Sequence, residues 1–326
     1  MKFSWNKIKK PIVALAPMAN ITTLPFRSIC KEMGADIVFT PMLSSNAIIH
    51  SPTETLKIAQ FLPSEEPLII QIFGYDGRLI AKAANIANDS LHPAGIDINM
   101  GCPAPKIAKN ECGSAMLKNY REAEKTIKII RDQFDGQLSV KLRLGWNKFD
   151  ALPFIKYLEK IGVDAVSVHG RTAKQGYSGT ADWEAIEFIA KSVNIPVIGN
   201  GDIINWQSAI SRLPLAQKNN KLSGIMIGRG ALGNPWIFKD IKQVIKLKSY
   251  KVDNQYDNRE LVKIIDQQAK RYIDYTGEKV AVMEMRKHLG WYIKGFPGAL
   301  NIRKKAMQVK TYKDIQNILG LIAKAY

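Results

Sequence analysis

The chain is 326 residues long, 46% hydrophobic and 23% charged, the make-up of a globular protein with a large core. That excludes a collagen and a disordered tail, and three cysteines (Cys30, Cys102, Cys112) are too few for a disulfide-stapled scaffold. Its 47 Lys and Arg against 29 Asp and Glu leave a net charge of +18, which suits a polyanionic partner such as nucleic acid or a membrane surface.

At the start, Lys7, Lys9 and Lys10 precede the apolar Ile12–Ala16, as in a signal peptide. Pro11 and Pro17 bracket a run shorter than the roughly 7–15 residues of a signal core, so this is read as the first core strand. Further Val/Ile/Leu-rich runs follow at Ile37–Thr40, Leu68–Phe73, Ile96–Asn99, Ser139–Leu144, Ala165–His169, Val197–Gly199 and Ile225–Ile227. Such compact runs are expected of parallel strands covered on both faces. Amphipathic stretches lie between them, among them Arg78–Ser90, Arg121–Phe134, Ala151–Ile161 and Trp183–Lys191. Strand-helix alternation repeated eight times predicts an α/β fold, a closed (β/α)8 TIM barrel, over residues 1–240. An open doubly wound sheet is the alternative, but no glycine-rich dinucleotide loop follows the first strand.

Residues 241–255 are polar and Lys-rich and read as a linker helix or boundary. Beyond them Leu261–Tyr275, Val280–Ile293 and Asp314–Ala325 have helical spacing, broken at Gly295–Gly298, which predicts a small all-helical domain over 256–326. Residues 241–326 hold 18 basic and 8 acidic residues, so about a quarter of the chain carries more than half of the net charge. That asymmetry favours a basic binding module. No apolar run approaches the ~18–20 residues of a membrane span. An odd number of cysteines without zinc-site spacing points to a reducing cytoplasm and no metal centre.

In TIM barrels the reacting groups project from the C-terminal ends of the strands. Here those ends carry Pro17-Met18-Ala19, Gln71, Asn99 leading into Gly101-Cys102-Pro103, Lys141 and Arg143, His169-Gly170-Arg171, Asn200-Gly201-Asp202 and Gly228-Arg229. Polar side chains at such positions are costly to bury without partners. Gly201, Gly228 and Arg229 sit where barrels commonly bind phosphate, so the ligand is expected to be a phosphorylated cofactor. Lys141 has two readings, a Schiff-base amine or a cation that stabilises charge on a reduced flavin. Gln71 favours the flavin, because its amide can both donate to and accept from the ring's pyrimidine edge. His169 could bond the same ring or the phosphate. Cys30 is read as a core thiol and Cys112 as packed in a loop. Thiols ionise above neutral pH, so Cys102, at the barrel mouth, can donate a proton as well as attack.

Taken together these segments resemble the tRNA-dihydrouridine synthase family, and more closely its bacterial DusB-like branch. The similar stretches are Ala16–Ala19, Asp97–Pro103 with Lys106 and Gly113–Leu117, Lys141–Gly145, His169–Thr172 with Gln175 and Tyr177–Gly179, Ala181–Trp183, Asn200–Asp202, Met226–Gly230 with Pro235–Phe238, and Arg286–Tyr292. Three positions depart from the pattern: Asn20 and Thr23 where Gly and Asp are expected, and Pro41 where an acidic residue is usual.

The resemblance implies an FMN enzyme that reduces the C5–C6 double bond of uridine in the tRNA D-loop with NADPH or NADH. Pro17, Met18, Ala19, Gln71, Lys141, His169, Asn200, Gly201, Asp202, Gly228 and Arg229 would hold FMN. Cys102 would protonate C5, Asn99 would bond the uracil edge, and Lys106 and Arg171 would contact the substrate. Lys287, Lys294, Arg303, Lys304 and Lys305 would face the tRNA backbone, the last three as a cluster. The rivals are a flavin barrel acting on a free pyrimidine, a Schiff-base aldolase using Lys141, and a catalytically silent RNA-binding barrel.

Overall fold

Eight parallel strands close on themselves in the computed structural model, which describes residues 3–213, 221–247 and 256–325. The strands are β1 (Ile12–Leu15), β2 (Ile37–Phe39), β3 (Leu43–Ser44), β4 (Leu68–Phe73), β5 (Gly95–Met100), β6 (Leu138–Arg143), β7 (Ala165–His169), β8 (Val197–Asn200) and β9 (Gly224–Ile227). Their order is β2-β1-β9-β8-β7-β6-β5-β4, and β4 pairs back onto β2, so the sheet is a (β/α)8 TIM barrel. The eight expected strands are all present. The added β3 is two residues that pair with β4 beyond Pro41, too short to carry a readable period.

Alternation of side chains across each strand divides the core into two shells. Outward residues such as Val13, Val38, Ile70, Ile98, Val140, Leu142, Val168 and Ile225 meet the helices. Ile80, Ala83, Ala84 and Ala87 of the helix Gly77–Leu91 pack there, as do Ala123, Ile127 and Ile130 of Tyr120–Gln133. Inward residues fill the lower barrel with Ile12, Ala14, Ile37, Phe39, Ile69, Ala165, Ile198 and Met226, and Trp5 joins this inner cluster. Higher on the same inner faces the residues turn polar, which places the chemistry at the C-terminal mouth.

The last barrel helix, Trp236–Leu247, runs through the start of the expected linker, with Ile241 and Val244 buried in the outer shell. Residues 248–255 lie outside the described residues. Four helices follow, Asn258–Thr276, Glu278–Tyr292, Ala299–Ala306 and Tyr312–Ala323, around a second core that includes Ile265, Tyr272, Met285, Leu289 and Ile315. Ile29 and Trp236 of the barrel helices belong to that core, so the helical unit is joined to the barrel.

Polar contacts reinforce the junction. Tyr272 Oη lies 2.9 Å from Thr23 Oγ1 and 3.1 Å from His288 Nε2, and Arg271 bonds Ser28 at 2.8 Å and Glu32 at 2.6 Å. Burial, with Lys287 adjacent, lowers the His288 pKa to about 3, so its imidazole is neutral. Below the mouth Arg27 and Glu65 form a fully buried pair at 2.9 Å, and Arg27 also donates to the carbonyls of Thr22 (2.8 Å) and Gln60 (2.7 Å). Among the described residues no helix is long and apolar enough to cross a membrane.

Candidate active site

The parallel register aligns Gln71 with Asp97, Asp97 with Ser139, Asn99 with Lys141, Lys141 with Ser167, Arg143 with His169, and His169 with Asn200. Paired residues of a sheet share a face, so all of these line the inner wall near the mouth.

Gln71 is buried, and both ends of its amide are engaged. Its Nε2 donates to Asp97 Oδ2 at 2.7 Å, and its Oε1 accepts from Asn99 Nδ2 at 2.8 Å. Asn99 Oδ1 in turn accepts the backbone N–H groups of Gly101 (3.2 Å) and Cys102 (3.0 Å). The residue proposed to face uracil therefore also braces the turn that carries the thiol. Cys102 is half-buried and free. Its carbonyl accepts from the Ser114 N–H at 3.0 Å. Gly113 there has φ +63°, and an added Cβ would stand 2.8 Å from the Cys102 carbonyl oxygen, so the close approach needs glycine. Lys106 is exposed on the short helix Pro105–Ala108. Cys30 is a core thiol, and Cys112, also buried, bonds the Asn110 carbonyl at 3.1 Å.

Lys141 donates to Asn200 Oδ1 at 3.2 Å, and Asn200 is fixed by donating to the Met226 carbonyl at 2.8 Å. Burial pulls the Lys141 ammonium down to about 8, against the attraction of Asp97. It therefore stays largely charged at neutral pH. His169 is 8% exposed, and its Nδ1 has no hydrogen-bond partner. Burial, with Lys141, Arg143, Arg171 and Arg229 nearby, drives its pKa down to about 2. A histidine kept neutral by burial, with four cations around it, marks a mouth whose field favours an anion.

At the seventh and eighth loops Gly201 has φ +131°, and a Cβ there would lie 2.6 Å from Ala181 Cβ. Gly228 has φ −105°, and a Cβ would sit in ordinary contact, 3.6 Å from Ala16. Asp202 and Arg171, both expected to touch ligands, bond each other. Arg171, 2% exposed, bonds both Asp202 oxygens at 2.8 Å and the carbonyls of Ser178 (3.0 Å) and Gly179 (2.6 Å). Asp202 also accepts the Ala181 N–H at 2.7 Å. Partial burial opposes its charge, but Arg171, that N–H and Arg229 hold the carboxyl below the usual range. The pair fastens the 171–182 loop over the mouth. Arg229, more exposed, lies over the Tyr177 ring at 4.4 Å.

The first loop carries Pro17 and Met18, half-buried, and exposed Ala19. Thr22 Oγ1 holds it closed, accepting from the Met18 N–H at 3.0 Å and donating to the Met18 carbonyl at 3.1 Å. Asn20 adopts φ +57°, the left-handed region where glycine is expected and Asn is tolerated. Its carbonyl accepts from Lys287 at 2.5 Å, so that lysine serves the loop. Thr23 meets Tyr272, and Pro41 is buried. Arg303, Lys304 and Lys305 stand exposed on the helix Ala299–Ala306, outside this network.

Two groups at the mouth received no role from the sequence. Arg143 donates to the carbonyls of Gly101, Thr172 and Gly176, each at 2.8 Å, so it ties the Cys102 turn to the 171–182 loop. The Lys141-x-Arg143 alternation, which puts both on the inner face, was the available signal. Tyr177, 60% exposed, is flanked by Arg229, Arg143 and His169; its loop has no period to reveal this. Among the described residues no group of three or more His, Cys, Asp or Glu converges to hold a metal.

The sequence matches the family model for dihydrouridine synthases over residues 14–325. The chain belongs to that family. A probable tRNA-dihydrouridine synthase of Rickettsia conorii is 36% identical over 307 residues, covering 91% of each chain. One from Aquifex aeolicus is 32% identical, covering 94% of each. A tRNA-dihydrouridine synthase B of Pseudomonas syringae is 34% identical over 89% of this chain and 84% of its own length. As a dihydrouridine synthase the protein is an oxidoreductase of the CH–CH class.

Proposed function

We propose that this dihydrouridine synthase reduces the C5–C6 bond of uridines in the tRNA D-loop, with FMN at the barrel mouth and NADPH or NADH as electron donor. The observation that carries the reading is the convergence of Lys141, a neutral and unpartnered His169, Asn200 and Gln71 on one inner wall beside the Cys102 turn. These residues fit a flavin phosphate and ring. The mouth's cations suit the anion, the His169 nitrogen lacks a partner, and Gln71 and Lys141 offer donors to the ring's polar edge. Pro17, Met18, Ala19, Gly201, Gly228 and Arg229 complete the cradle, and Asp202 acts through Arg171.

FMN held there by Lys141, His169, Asn200 and Gln71 would supply the hydride for C6 of uracil. The Cys102 thiol then gives its proton to C5, while Asn99 orients the base edge. Lys141, charged at neutral pH, stabilises the negative charge that develops. Arg143, Arg171 and Tyr177 hold the loop that closes over the mouth and limits access of water.

The target base must leave its stack, which costs least in an already loose loop. The barrel serves as the catalytic unit and residues 256–326 as the basic tRNA-binding unit. The free cysteines and the tRNA substrate favour the cytoplasm. Replacing Arg303, Lys304 and Lys305 by Ala should weaken tRNA binding. It should also flatten the salt dependence by about 0.7 in log–log slope for each phosphate that is no longer neutralised. Filter-binding titrations at several salt concentrations check this, and superimposable curves would remove the cluster from recognition.

Flavin reoxidation tests the reading itself. The purified protein should be yellow, and once reduced it should be reoxidised by unmodified tRNA under anaerobic conditions but not by free uracil. Reoxidation by uracil alone would favour a free-pyrimidine enzyme, and a colourless protein that binds no FMN would exclude a flavin mechanism.

A further inference from the structure

The hydrogen bonds leading to the Cys102 turn have a fixed direction. An ionised carboxylate can only accept, so Asp97 Oδ2 requires the Gln71 amide to present its Nε2, at 2.7 Å. That choice turns Gln71 Oε1 toward Asn99, which must then present Nδ2, at 2.8 Å. Asn99 is left with Oδ1 facing the backbone N–H groups of Gly101 and Cys102, at 3.2 and 3.0 Å. Gln71 in isolation would be indifferent to its own flip, whereas the two N–H groups of the turn, which can only donate, favour Asn99 Oδ1. The two ends agree: Asp97 fixes Gln71, and Gln71 Oε1 then matches the Nδ2 that Asn99 presents.

We propose that Asp97 is a positioning residue for the reaction: it orients the Gln71 amide, which braces Asn99 through Nδ2 and so supports the turn that carries Cys102. This rests on the reading of Cys102 as the proton donor. Asp97 is fully buried on β5 and touches neither mouth loop directly; Ser139 Oγ donates to its other oxygen at 2.7 Å. Burial raises its pKa to about 6, while the bonds from Gln71 and Ser139 and the charge of Lys141 oppose that rise. Donors on both of its oxygens, Gln71 Nε2 and Ser139 Oγ, suit an ionised group. A buried aspartate with no hydrogen bond of its own to the reacting turn thus supports the way that turn is held.

Two isosteric variants test this on the full-length protein. Asp97→Asn removes the acceptor-only end, so Gln71 can flip and Asn99 Nδ2 loses a fixed acceptor. The double variant Asp97→Asn with Gln71→Glu exchanges carboxylate and amide, keeps the total charge, and again presents Asn99 with a group that only accepts. Hydrogen exchange at the Gly101 and Cys102 amides, followed by mass spectrometry, reads the Asn99 bonds without reference to flavin or activity. In Asp97→Asn protection of these amides should fall about tenfold, while the thermal midpoint shifts little. In the exchanged pair protection should return to the wild-type level.

With tRNA as substrate, Asp97→Asn should lower kcat about tenfold. Unchanged protection in Asp97→Asn, or no recovery in the exchanged pair, overturns the proposal. If Asp97→Asn does not fold, the exchanged pair alone decides, since it must show wild-type protection. Lost and recovered protection in a protein that fails to reduce tRNA would uphold the relay and reject the assigned reaction instead.

Discussion

Replacing Cys102 by Ala should abolish dihydrouridine formation, with a loss of about 10²–10⁴-fold, the usual range for a positioned general acid. The protein should still bind flavin and oxidise its nicotinamide donor, because no proposed cofactor contact involves that side chain. The thiol sits on a turn held by the Asn99 side-chain oxygen Oδ1 from one side and by the Ser114 N–H from the other. Removing one sulfur leaves those backbone bonds intact, so a fall in rate reports the proton transfer rather than a collapsed loop. Single-turnover reduction of tRNA, run beside the nicotinamide half-reaction, separates the two. Equal losses in both would mean that Cys102 serves flavin binding instead.

The largest effect on stability is expected at Glu65. Its side chain and that of Arg27 are both fully buried and pair at 2.9 Å. Glu65→Ala leaves a guanidinium without its counter-ion in a dry site, which typically costs about 3–5 kcal/mol. Arg27 keeps the Thr22 and Gln60 carbonyls, which places the loss toward the lower end of that range. The double variant Arg27→Met, Glu65→Leu should recover much of it, because no charge is then stranded. Denaturant unfolding of the three proteins measures this, and a Glu65→Ala protein as stable as wild type would contradict it. Since Arg27 also holds Thr22, whose hydroxyl closes the first loop on Met18, flavin retention should weaken along with stability.

The barrel was legible because its strands are short, β-branched and evenly spaced, and because a lysine or histidine in such a run stands out. Lys141, His169 and Asn200 declared themselves in that way, and the structure brings them to one wall. Pairings between distant segments were not legible. Arg171 and Asp202, 31 residues apart, each look like a ligand contact until the fold joins them. Thr23 and Tyr272, 249 apart, look like unrelated surface groups, although together they seat the helical unit against the first loop. Asn20 reads as a departure from the expected glycine until its left-handed backbone shows why either residue serves. The chain from Asp97 to Cys102 needs the register of β4 against β5, which no local pattern encodes.

The most direct measurement is nucleoside mass spectrometry of unmodified tRNA incubated with the protein, FMN and NADPH, with the product mapped to position. Uridines of the D-loop should become heavier by two hydrogens with the wild-type protein and remain unchanged with Cys102→Ala. Unaltered tRNA from the wild-type incubation, or equal product from both proteins, would contradict the assignment of the barrel mouth and its thiol.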